Sequence, residues 1–119
     1  MIVNCANAEH YVWGDGCDGW HFLNTPELSV IVERVPAGSC EVRHYHERAQ
    51  QFFFVIEGQA RLELAGTIYT LSPQEGCAVP AACPHQLCNM MSSAELVFLL
   101  VSAPHSHGDR VVVDDVADD

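Results

Sequence analysis

No stretch of this 119-residue chain repeats its apolar residues at helical spacing. What recurs is a short β-prone run closed by a turn signal. Ser29 to Val35 ends at Pro36-Ala37-Gly38. Cys40 to His46 gives way to the polar turn Glu47-Arg48-Ala49, and Gln51 to Ile56 stops at Glu57-Gly58. Ala60 to Leu64 and Thr67 to Leu71 flank Ala65-Gly66, and Ser72-Pro73-Gln74-Glu75-Gly76 leads into Cys77 to Pro80. His85 to Met90, Glu95 to Ser102 and Arg110 to Val113 complete the set. Many short strands so punctuated predict an all-β sandwich or barrel. The length suits one domain, expected over residues 1–113. Trp13-Gly14-Asp15-Gly16-Cys17-Asp18-Gly19-Trp20 is too rich in glycine to read as a strand. Residues 1–28 are therefore expected to pack over the barrel or a partner subunit, and 114–119 to form a solvated acidic tail.

Charge narrows the partners. The net charge is -11, and the five basic residues are all arginine. Such a chain repels phosphate backbones and anionic membrane surfaces, which argues against nucleic-acid or membrane binding. No apolar run approaches bilayer length. Met1 to Asn4 lacks the charged and apolar regions of a signal peptide, so a cytoplasmic location is expected. In that setting the six cysteines, none in a C-x-x-C pair, are expected to be free thiols. Cys40, Cys77 and Cys88 read as small core or interface residues, while Cys83 stands two residues before His85.

The run Gln51-Phe52-Phe53-Phe54-Val55-Ile56 is apolar on both faces. Alternation puts Gln51, Phe53 and Val55 on one side and Phe52, Phe54 and Ile56 on the other. A lone small barrel would show water a polar outer face. An apolar one implies a cover, and a homodimer is expected.

Chemistry concentrates at His44-Tyr45-His46. Residues two apart on a strand share a face, so both imidazoles project together. His85, beside the Pro84 turn, can join them from a neighbouring strand. Three convergent imidazoles suit a divalent transition metal, whether Fe, Mn, Ni, Zn or Cu. The bland alternative is a set of packed, hydrogen-bonded histidines without metal. Alternation also groups Val42 with His44 and His46, leaving Glu41, Arg43 and Tyr45 opposite. It makes Phe53, Val55 and Leu87 an apolar lining suited to a small organic ligand. His10 and His21, in an aromatic stretch, are weaker candidates. His105 and His107 could rim the pocket or form a second site, although surface histidines are commoner.

These residues resemble the cupin family. Its first motif runs Gly38, five residues, His44-x-His46, four residues, Gln51 where the family has Glu, six residues, Gly58. The second appears as Pro80-Ala81-Ala82-Cys83-Pro84-His85, with Asn89 four residues on. Ala82 stands for the usual glycine, and Gly76 lies two residues nearer Pro80 than in the usual pattern. The chain also resembles a subgroup of small single-domain cupins that carry Glu-Arg-Ala-Gln-Gln-Phe-Phe, here Glu47 to Phe53, and a Ser-His-Gly-Asp-Arg segment, here Ser106 to Arg110. The resemblance implies a double-stranded β-helix, or jelly-roll barrel. It implies metal ligation by His44, His46 and His85, and a metal-dependent dioxygenase or isomerase acting on a small organic acid or carbonyl compound. The alternative is a non-catalytic module that binds or senses a small ligand.

Gln51 has its own consequence. A carboxylate would offset one unit of metal charge and an amide offsets none. Such a centre would be a stronger Lewis acid and would favour an anionic ligand. Gln51 itself is expected to ligate weakly or not at all and to orient the bound molecule.

Overall fold

The computed structural model describes residues 1–106 and 108–114; His107 and the tail residues 115–119, for which expectations were stated, lie outside the described residues. Among the described residues there are eleven strands and no helix. None of it is therefore a helix long and apolar enough to cross a membrane. β1 (Glu9–Trp13), β2 (Cys17–Asn24), β3 (Ser29–Val35), β10 (Leu96–Ala103), β5 (Gln50–Glu57) and β8 (Gly76–Val79) form one antiparallel sheet, in that order. β11 (Arg110–Val112), β4 (His44–His46), β9 (His85–Cys88), β6 (Ala60–Leu64) and β7 (Thr67–Leu71) form the other. The two sheets face each other as a double-stranded β-helix, the expected all-β class.

Alternation holds along β5. Gln51, Phe53 and Val55 are buried, while Phe52 and Ile56 are 43% and 48% exposed. Phe53 reaches across the interior to the opposite sheet, packing 5.9 Å from His85, and lies 5.7 Å from Phe98 on the neighbouring strand β10, centroid to centroid. With Val35, Leu62, Leu71, Leu87 and Leu96 it forms the core. Truncating a buried Phe of this kind typically costs about 3–5 kcal/mol.

The glycine-rich N-terminal stretch departs from expectation, because it is a hairpin. Glu9 to Trp13 pairs with Cys17 to His21, and Gly14 and Gly16 take positive φ in the turn. The glycines that argued against a strand are what let the chain reverse so tightly. Gly19 has a separate role. It sits between Tyr11 and Glu33 in one cross-strand row, and a Cβ there would fall 2.1 Å from the Tyr11 ring. The bare glycine lets Tyr11 lie over β2 and donate its hydroxyl to Glu33 Oε2 at 3.0 Å.

Two further expectations are corrected. Cys40 and Cys88 are joined by a disulfide, so they are not free thiols. They face each other as an isolated antiparallel bridge, which brings the two sulfurs together; Cys5, Cys17, Cys77 and Cys83 are free. Glu41 also faces the interior, whereas Val42 is 53% exposed. His44 pairs with His85 and Cys40 with Cys88, so four steps along one strand oppose three along the other. One extra residue in a ladder reverses which side chains face inward.

Candidate metal centre and cavity

His44 and His46 stand on β4 and His85 opens β9, its backbone opposite His44 in the register. The ring centroids lie 4.9 Å apart for His44 and His46, 4.5 Å for His44 and His85, and 6.1 Å for His46 and His85. One ring nitrogen from each falls within 4.8 Å of the others, and all three residues are buried. The arrangement positions the group to bind a metal ion.

Hydrogen bonding fits that use. His44 Nδ1 donates to the Val42 carbonyl at 2.8 Å, and His85 Nδ1 donates to the Cys83 carbonyl at 2.9 Å. A backbone carbonyl on one ring nitrogen is the usual way a ligating histidine is oriented. His85 Nε2 is buried without a partner, an orphan that a metal ion would satisfy. Burial pushes His44 down to about 3 and His46 down to about 4, and lowers His85 as well. All three are neutral near pH 7, and the neutral imidazole is the ligating form. The donor set is nitrogen-rich, which suits Fe, Ni, Cu or Zn better than Mg or Ca. Cys83 serves through its backbone, since its thiol packs against the core and burial raises it.

Gln51 faces Ser102 across the β5–β10 ladder and donates Nε2 to Ser102 Oγ at 3.0 Å. Its Oε1 is left buried and without a partner. The amide is thereby turned with its acceptor free, and Gln51 lines one cavity of about 190 Å³ with His44 and His46.

That cavity is more polar than the expected apolar lining. Phe53 contributes, but Val55 and Leu87 belong to the core. Tyr11, Trp13, Glu33, Glu41 and Arg110 line it instead. Burial drives Glu33 up to about 7, against the opposing pull of the Tyr11 hydroxyl and of Arg110. Burial drives Glu41 up to about 8, opposed by the Leu87 N–H that its Oε2 accepts at 2.8 Å and reinforced by Glu33. Strand alternation could have found Glu33, because Ile31 and Val35 are inward and Glu33 lies between them. Nothing in the sequence marks the bulge that turns Glu41 inward.

The loop between His46 and Gln51 is held from the far end of the chain. Asp109 is 4% exposed, and its carboxylate accepts the N–H groups of Glu47 at 3.0 Å, Arg48 at 3.0 Å and Ala49 at 2.8 Å. This ties Asp109 to the Glu47 to Phe53 segment. The other described histidines do not line the cavity. His10 bonds Asp18 on the hairpin at 2.7 Å, His21 stacks near Tyr11 at 4.8 Å, and His105 donates its backbone N–H to the Pro26 carbonyl at 3.0 Å.

A family profile described as "Cupin domain" matches residues 31–102. No curated protein matches the sequence. Among solved structures, KdgF from Halomonas sp. superposes with a TM-score of 0.80 at 20% identity, over 90% of this chain and 96% of that one. A sugar phosphate isomerase of the cupin superfamily from Silicibacter pomeroyi gives 0.75 at 22% identity, over 87% and 75%. A predicted oxalate decarboxylase from Thermotoga maritima gives 0.79 at 16% identity, over 87% and 99%. At these identities the likeness establishes the fold alone.

Proposed function

The chain belongs to the cupin domain family, and on that premise we propose that it is a metal-dependent isomerase that moves a proton within a small organic acid or carbonyl compound. The observation that carries this reading is the placement of two carboxyl groups, buried Glu33 and partly buried Glu41, in the same cavity as His44 and His46, two of the three histidines poised for metal. An isomerase needs one group to take a proton and another to return one.

His44, His46 and His85 would hold the ion. A divalent transition metal bound there supplies Lewis acidity that polarises a substrate oxygen and eases loss of the neighbouring C–H proton. Glu33, kept in place by Tyr11, acts as the base. Glu41, whose burial favours the protonated form, returns a proton to the adjacent atom. Each turnover leaves the two carboxyls exchanged in protonation and the substrate unchanged in composition; loss of a proton from Glu33 to water and uptake of one by Glu41 restore them for the next. Gln51 Oε1 accepts a hydroxyl hydrogen of the substrate and fixes its orientation. The cavity's small volume restricts the choice to compounds of a few carbons.

The test is proton exchange. Metal-loaded protein incubated in D2O with small hydroxy acids, oxo acids, aldoses and ketoses is expected to place deuterium beside the carbonyl of one of them, as read by NMR. Glu33→Gln should abolish the exchange. Oxygen consumption with iron bound, without exchange, would transfer the reading to the dioxygenase that the family resemblance also allows.

The second reading, a binding or sensing module, draws on the outer face of the larger sheet, where Phe52 and Ile56 stand exposed. The same face is the proposed homodimer contact. Ligand binding without exchange or oxidation supports the module, and a sedimenting monomer at micromolar concentration rejects the dimer.

A further inference from the structure

We propose that Arg110 anchors a carboxylate of the molecule that enters the cavity, so that the site selects small carboxylic acids over neutral carbonyl compounds of equal size. The proposal rests on the reading above that this cavity is the ligand site.

Arg110 opens β11, where its backbone pairs with that of His46 on β4. Residues directly opposite on antiparallel strands share a face. The guanidinium is thus carried on the same side as the His46 ring, and Arg110, although exposed to solvent, lines the cavity. Its backbone is held firmly, because the preceding residue, Asp109, carries the three N–H bonds to Glu47, Arg48 and Ala49.

The other arginines are engaged elsewhere or point away. Arg34 pairs with Asp18 and Glu95, and Arg43 pairs with Glu63. Arg48 lies 3.8 Å from Asp109 with its side chain 76% exposed. Arg61 lines a separate pocket. Arg110 forms no ion pair among the described residues, and no other arginine lines the cavity.

An anion approaching a chain of net charge -11 is repelled over most of the surface. Arg110 is the cavity's fixed positive charge. Its planar fork matches a carboxylate through two parallel N–H···O bonds, which a neutral amide or aldehyde cannot reproduce. A substrate held at one end by Arg110 and at the other by the metal and Gln51 would present its reacting carbon to Glu33 and Glu41. Charge-assisted bonds of this type correspond to about tenfold or more in affinity.

The experiment compares pyruvate with pyruvamide, and lactate with lactamide, by calorimetric titration of the metal-loaded full chain. Wild type, Arg110→Gln and Arg110→Lys are each checked for metal affinity and melting temperature. In wild type each acid should bind about ten times more tightly than its amide or better. The ratio should fall close to one in Arg110→Gln and be intermediate in Arg110→Lys, with metal affinity unchanged in both. The proposal is overturned if the ratio survives in Arg110→Gln, if the amides match the acids in wild type, or if neither acid binds at millimolar concentration. A collapse of the ratio without deuterium exchange in any substrate sinks the isomerase and keeps the anchor. Exchange that proceeds with an unchanged ratio does the reverse.

Discussion

Gln51 gives its amide N–H to Ser102 Oγ at 3.0 Å and keeps its carbonyl oxygen unpaired and buried. The hydroxyl on β10 thus decides which end of the amide is left free. Ser102→Ala removes the acceptor and lets the amide rotate. Leaving a buried donor unmade costs about 1–3 kcal/mol, and the melting temperature should drop accordingly. Gln51→Glu tests the charge argument. A carboxylate there should tighten divalent metal binding in a competition titration and weaken binding of pyruvate to the loaded protein.

Asp109 acts on the site without lining the cavity. Asp109→Asn removes the charge from an acceptor that holds three backbone N–H groups between His46 and Gln51. A loss of about 1.5–3 kcal/mol is expected, with a tenfold or larger fall in metal affinity, since partners that orient ligands matter at about that level. Asp18→Asn on the hairpin serves as the control that keeps its metal affinity.

The same group sets an acid limit. Burial pushes the Asp109 carboxyl up, but the N–H groups of Ala49, Arg48 and Glu47 outweigh it and hold it below the ordinary 3.8. A lowered carboxyl contributes stability that is complete above the unfolded value and is lost as pH falls through the folded one. The wild-type advantage over Asp109→Asn should therefore shrink below about pH 4 in thermal melts.

Glu33 gives the opposite slope. Its value is raised from 4.5 to about 7 by burial. The folded state then holds a proton that the unfolded chain has released, so stability falls as pH rises between those two values. The full effect is about 3 kcal/mol on the relation between pKa and free energy. Glu33→Gln removes the titration. Its melting temperature should gain on wild type from pH 5 to pH 8, and parallel curves would contradict the assignment.

Ala82 occupies the position where the motif has glycine, and it adopts φ +64°. A left-handed conformation costs a non-glycine residue about 1–2 kcal/mol. Ala82→Gly should stabilise the fold by somewhat less than that, because glycine also loses more entropy on folding. A chemical denaturation midpoint reads the sign directly.

Much of the architecture is legible in period-2 patterning. Ser29–Val35, Ala60–Leu64 and Thr67–Leu71 begin and end where the turn residues place them, and Gln51 and Phe53 face inward as alternation requires. His44, His46 and His85 meet because their spacing is kept by strands whose register the hydrophobic pattern fixes. What escaped the sequence has local causes. A bulge between Cys40 and His44 inverts Glu41 and Val42, and no composition signal marks it. The Cys40–Cys88 bridge joins residues 48 apart, and that pairing is visible only once β9 lies beside the segment before β4. The hairpin was obscured by glycines that serve the turn and the Tyr11 ring. Asp109 and Arg110 acquire their places from β11 pairing with β4, a contact between distant parts of the chain.

The central claim is that His44, His46 and His85 together bind a divalent transition metal. Protein purified without chelators or nickel resin should contain about one transition-metal ion per chain or take one up on titration, because the three histidines supply one compact donor set. His85→Ala, in a protein that still melts cooperatively, should lose that ion, whereas His10→Ala should retain it. A wild-type chain that binds no metal on titration, or a His85→Ala variant that binds it unchanged, would contradict the account.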